Sequence, residues 1–176
     1  MLSKIRYFTL ENLRNIYFGI FSSLLNYGAQ IWGQHLNIHI KRILKLQDRA
    51  IRIINFANFR EPTPKLYKKS GILKFKDNIA LNNYIFVHDS LNRRLPTALL
   101  DKFVYLNKSH QHNTRNSANH CVKLPKSRTL GYGTDSITSQ SAKAWNFLQS
   151  NCSDNMHLFS RNKCKKIIRK FYLDSY

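Results

Sequence analysis

The sequence predicts a mainly α protein: a helical bundle followed by a long polar loop and a small C-terminal helical unit. Three observations predict it. Apolar residues recur at three- and four-residue spacing along most of the N-terminal part, which is the period of a half-buried helix. Residues that cap or stop helices punctuate those runs. Hydrophobic residues make up 43% of the 176-residue chain, enough to build a core. Composition shifts after Tyr105, where a polar, His-rich stretch from Asn107 to Lys126 reads as a long loop. The chain therefore divides into a helical region, 1–103, and a loop with a C-terminal helical region, 104–176.

Thr9 caps the first predicted helix, and Glu11 sits in its first turn, where a negative charge suits the dipole. Leu10, Leu13, Tyr17, Phe21 and Leu24 recur along it. Ile16, Ile20 and Leu25 widen the stripe, so burial on more than one side is expected. Asn26-Tyr27-Gly28 ends or bends this helix, and Ile31-Trp32-Gly33 follows as an aromatic anchor and a second break. A second helix runs from about His39 to Asn55. Ile40, Ile43, Leu44, Gln47, Ala50, Ile51 and Ile54 trace its inner face, and Lys41, Arg42, Lys45, Arg49 and Arg52 fill much of the rest. Thr63 and Pro64 open a short helix that Gly71 stops. Asp77 caps a third long helix to about Asn92, and Thr97 caps a short one through Leu100. Past the loop, Ser139 or Ser141 starts a helix through Leu148. A last helix, about Asn155 to Tyr172, sets Leu158, Phe159, Ile167, Ile168 and Phe171 against six Lys and Arg.

Charge narrows the function. The chain carries 29 Lys and Arg against 9 Asp and Glu, a formal +20. The cations are spread over every predicted element rather than gathered in a tail, which favours a folded body with a broad positive face. Nucleic acid is the natural counter-charge. The uncharged run from Ile16 to Trp32 faintly resembles a membrane anchor. It contains Ser22, Ser23, Asn26 and Gln30, and a buried helix accounts for the same pattern, so no membrane partner is expected. Three cysteines, Cys121, Cys152 and Cys164, lack any CxxC spacing and read as reduced intracellular thiols.

Chemistry is hard to place on these residues. Two-metal nucleotidyl transfer needs close carboxylates on a rigid hairpin. No two of the nine acids are adjacent in sequence, and none lies in an apolar strand–turn–strand setting. His110, His112, His120 and Cys121 are residue types that hold zinc, but their spacing fits no known finger or knuckle, and chance clustering or phosphate contact is favoured. No nucleophile elbow, phosphate loop or dinucleotide fingerprint is present. Hence no catalytic residue, no metal and no cofactor is assigned. Aromatics interleave with cations at Phe56/Phe59/Arg60, Tyr67/Lys68/Lys69, Lys74/Phe75/Lys76 and Arg169/Lys170/Phe171/Tyr172. Such rings can stack on bases, though most are expected in the core.

One ordered set of motifs is more specific. Tyr27-Gly28 is followed by Trp32-Gly33, then by Leu46-Gln47-Asp48-Arg49-Ala50-Ile51-Arg52-Ile53-Ile54. Pro64-Lys65-Leu66-Tyr67 leads to Gly71-Ile72-Leu73-Lys74-Phe75, and Leu95-Pro96 to Phe103. His112-Asn113-Thr114-Arg115, Leu124-Pro125, Arg128 and Ala144-Trp145-Asn146-Phe147-Leu148 complete the order. From about Leu10 to Tyr172, the chain resembles the stretch downstream of the polymerase core in non-LTR (LINE-type, jockey-like) retrotransposon reverse transcriptases. The resemblance implies a thumb-like helical bundle over 1–103 and a post-thumb tail over 104–176. It implies a region that grips a template–primer duplex, while the catalytic aspartates of the family lie upstream and have no counterpart in this chain.

The expectation is therefore a C-terminal fragment of an RNA-directed DNA polymerase that is not an enzyme by itself. It would bind RNA–DNA or DNA duplex through backbone phosphates, in the nucleus or cytoplasm, beside a polymerase core absent from the chain. Lys41, Arg42, Lys45, Arg49 and Arg52 are the expected contacts, with Arg115 and Arg128 from the loop. The alternative is a free-standing or host-repurposed basic nucleic-acid-binding module.

Overall fold

The computed structural model describes residues 8–33, 38–109, 120–129, 133–152 and 156–176. Among them the chain is mainly α. Helices α1 (Leu10–Ile16), α2 (Ser23–Asn26), α3 (Ala29–Trp32), α4 (Ile38–Ile54), α5 (Thr63–Ser70) and α6 (Phe75–Leu91) are followed by α7 (Thr97–Leu100), α8 (Leu106–Ser109), α9 (Ile137–Asn151) and α10 (Arg161–Asp174). The extended pairing among the described residues is one isolated antiparallel bridge, Tyr105 with Val122. No helix among these residues is long and apolar enough to cross a membrane.

The chain forms two compact units, Met1–Phe75 with Leu173–Tyr176, and Lys76–Tyr172. The division expected at 103–104 lies inside the second unit. Phe103 is buried there, edge-on to Phe86 at 5.7 Å, and the next residues bridge to Val122. The change in composition at Tyr105 thus falls within one compact unit, and α8 follows it directly.

In the first unit, Thr9 caps α1 as expected, its hydroxyl accepting from the Asn12 amide at 3.3 Å. The helix then continues through a π-helical segment, Tyr17–Ser22, into α2. The inward residues Leu13, Tyr17, Phe21 and Leu25 are spaced four apart. A regular α-helix would rotate such a row by about 40° per step, and a wider π turn takes up that drift. Ser23 supports the widened turn by donating to the carbonyls of Gly19 and Ile20, at 2.7 and 2.9 Å. Of the residues expected to widen the stripe, Leu25 is half-buried but Ile16 and Ile20 are exposed, and so is Leu24 of the expected main row, by 72%. The apolar run is longer than the surface its own unit offers to cover it.

Gly28 at φ +63° turns the chain, and Trp32 fixes the turn by donating its indole N–H to the Tyr27 carbonyl at 2.8 Å. Trp32 also stacks on Phe75 at 5.3 Å. Below this, Leu13, Tyr17, Ile51, Ile54, Leu66, Tyr67 and Ile72 form the core. Gln47 lies among them and is 2% exposed. Its amide donates to Tyr17 Oη at 2.9 Å and to the Leu73 carbonyl at 3.0 Å, and its oxygen accepts from the Phe75 amide at 2.9 Å. Gly71, at φ +63°, ends α5 as expected. The N-cap of α5 is Pro62 rather than Thr63, so Pro64 sits one position further in.

In the second unit α6 is enclosed on most of its surface. Tyr84 stacks on Trp145 at 4.4 Å and donates to Gln149 at 3.2 Å. Helix α6 begins two residues before the expected cap, so Asp77 is a first-turn acid instead. Similarly, Pro96 rather than Thr97 precedes α7. Helix α9 is capped by Ser136, because Ser139 and Ser141 are buried inside it. Trp145 and Asn146 clasp the segment before them. The indole donates to the His120 carbonyl at 3.1 Å, while the Asn146 amide accepts from the Val122 N–H at 2.8 Å and donates to its carbonyl at 3.0 Å. The last expected helix is split into a 3-10 turn, Met156–Leu158, and α10. All three cysteines are free, and burial pushes the Cys152 and Cys164 thiols up to about 11.

Candidate nucleic-acid interface

Helix α4 separates its two faces cleanly. Ile40, Gln47, Ile51 and Ile54 are buried. Lys41, Arg42, Lys45 and Arg49 are exposed and Arg52 is half-buried. Arg42, Lys45, Arg49 and Arg52 follow one another at intervals of three, four and three, which places them in a single row along the helix. These four line an open hollow of about 640 Å³ together with Leu46, Asp48 and Phe59. Lys41 is exposed on the same helix but outside the hollow's lining.

The row's electrostatics are one-sided. Asp48 is the one acid of α4, and it accepts a hydrogen bond from Tyr67 Oη at 2.9 Å. Burial, and then the Asp48 charge, raise the Tyr67 pKa, so the phenol stays a donor to that carboxylate. Asp48 is thereby tethered within the hollow's lining, one acid against five cations on the helix. Arg52 is held in place. Its Nε donates to the Glu61 carbonyl at 3.1 Å, and its guanidinium carbon lies 5.9 Å from the centre of the Phe59 ring.

Not every expected contact belongs to this row. Arg128 is exposed in the second unit, on a stretch that also carries exposed Lys123 and Lys126. Arg115 lies outside the described residues, as do His110 and His112. Of the His and Cys once weighed for zinc, Cys121 is buried and His120 stacks on His157 at 3.9 Å. Among the described residues no group of three or more His, Cys, Asp or Glu is placed to hold a metal ion. Among the described residues the acid that is most enclosed, Asp89, is engaged by Arg161 at 3.2 Å and approached by Arg94 at 4.0 Å.

The aromatics divided in a way the sequence did not indicate. Tyr67 and Phe75 are core residues, but Phe56 and Phe59 are exposed, Phe59 by 82%. Phe56 has a left-handed backbone, φ +54°, directly after α4. The only signal in the sequence was their closeness to Arg52 and Arg60. Leu46, a further lining residue, stands between Lys45 and Gln47 and falls outside the apolar face traced from spacing. No family model, curated protein or solved structure matches this chain.

Proposed function

We propose that this chain is a nucleic-acid-binding helical region of a LINE-type reverse transcriptase, working through backbone phosphates and carrying no polymerase centre of its own. The observation that supports it most is the row Arg42, Lys45, Arg49 and Arg52, set along one rigid helix with its only acid tethered to Tyr67. Such a row meets a polyanion at several points and reads charge rather than base identity. The ordered sequence motifs supply the link to the retrotransposon family. In that reading α4 lies against the template–primer duplex, Arg128 adds a separate contact, and the chain acts in the nucleus or cytoplasm beside the polymerase core.

Binding of the chain to an RNA–DNA primer–template duplex, followed by fluorescence anisotropy across a salt series, tests this. Four phosphate contacts predict a slope of log K against log salt of about −3 to −4. An affinity that hardly changes with salt would remove the proposal.

A further inference from the structure

We propose that the α4 hollow also receives an unpaired base, stacked on Phe59 while the basic row holds the adjoining phosphates; this rests on the nucleic-acid reading above and narrows its substrate to duplex bordered by single strand.

A row of cations suffices to hold a duplex backbone, and it needs no apolar surface. This hollow has one. Leu46 is 54% exposed within its lining, and Phe59 stands at its edge. Exposed apolar side chains scattered singly are ordinary on a protein surface. Here Leu46 and Phe59 line the same depression as the four cations. The aromatic also adjoins the basic row: Arg52, bound to the Glu61 carbonyl, has its guanidinium carbon 5.9 Å from the Phe59 ring centre. Single-strand sites are built from these two parts, a positive track for the backbone and a ring on which a base lies flat. Stacking tolerates any base, because every base offers a flat face to the ring.

The test compares a blunt duplex with the same duplex bearing a short overhang, made once in RNA and once in DNA, with 2-aminopurine as the first unpaired base. The full chain is used, with Phe59→Ala and Phe59→Trp beside it. Phe59 is largely exposed, so neither change disturbs the core. The expected result is an overhang preference of about five- to tenfold, with 2-aminopurine emission quenched on binding. Phe59→Ala removes the preference, binding overhang and blunt duplex alike, and Phe59→Trp retains both preference and quenching. The RNA and DNA arms show which strand supplies the base. Equal binding of blunt and overhang duplex, or a preference that survives Phe59→Ala, overturns the stacking proposal and leaves the phosphate reading standing. Salt-independent binding of both substrates overturns the two together.

Discussion

Helices α4 and α6 are each 17 residues long, and they solve opposite problems. Helix α4 buries one narrow stripe and gives the rest of its circumference to water, so five cations ride on it without partners in the core. Helix α6 buries Tyr84, Ile85, Val87, His88, Asp89 and Ser90 in near succession, so every polar group on it must find a partner inside the protein. Several do: Tyr84 with Gln149, Asp89 with Arg161, and Ser90 with the carbonyls of Leu99 and Leu100 at 3.0 and 3.1 Å. His88 Nε2 lies 2.9 Å from the Phe159 carbonyl. Polar residues that the core encloses, Gln47 of α4 among them, are therefore structural, whereas the cations of α4 stand on its outer side. Kind of residue does not distinguish the two cases; enclosure does.

Substitutions can break or sharpen this contrast, in descending order of effect on stability. Trp145→Ala removes the stacking partner of Tyr84 and the clasp on His120. It should cost about 3–5 kcal/mol in urea denaturation. A loss under about 1 kcal/mol would show that α6 is not enclosed as described. Next comes the buried side of α4. Gln47→Ala strands the Tyr17 hydroxyl, the Leu73 carbonyl and the Phe75 amide, for at least about 2 kcal/mol. Gln47→Leu, which restores volume but not the hydrogen bonds, should not recover it.

On the outer side of α4, the double change Arg42→Gln with Arg49→Gln should shift stability by no more than about 0.5 kcal/mol. It should make the salt slope for duplex binding shallower by about two. Equal losses of stability and binding would mean the row belongs to the fold. The smallest effect is a pH dependence. His157 has its pKa lowered, by burial first and by neighbouring His120 second. Its Nδ1 lies 3.2 Å from the Gln149 amide nitrogen, which in turn leads to Tyr84. The unfolded chain takes up this proton more readily than the folded one. Stability is thus full above the ordinary value of 6.5 and falls as pH drops toward the depressed folded value. In His157→Gln the denaturation midpoint should lose that part of its acid sensitivity.

The sequence made α4 legible because its pattern is complete within one element. Spacing alone separates Ile40, Gln47, Ile51 and Ile54 from the cations, and the structure keeps that separation. The N-terminal helix misled for a physical reason. Periodicity reports which residues could be buried, and whether Ile20 or Leu24 is buried depends on a neighbour that the pattern cannot name. Caps shifted by one to three residues, at Pro62, Pro96 and Ser136, because several small or polar residues compete for each helix start and packing chooses among them. Phe59 was named only as one of several rings beside cations, since exposure of an aromatic in a turn is decided by the fold and not by its neighbours in the chain.

Motif residues show the same limit from the other side. Gly28 and Trp32 fold a local turn, Gln47 binds three segments together, and Trp145 with Asn146 clasps a loop. What looked like a string of functional signatures is, at these positions, largely scaffold, and the cations between them carry the surface.

The Asn146 clasp also bears on exchange with solvent. A carboxamide is a detached copy of the peptide group, so it can offer Val122 the donor and acceptor that a neighbouring strand would have offered. The Val122 amide is consequently sealed by a helix rather than by a sheet. For its hydrogen to trade with deuterium, Asn146 must swing away, and Asn146 is seated beside buried Trp145 on α9. The neighbouring Lys123 amide is held differently, by the Val104 carbonyl at 2.9 Å, so the Val122 rate is the gauge of how often α9 lets go.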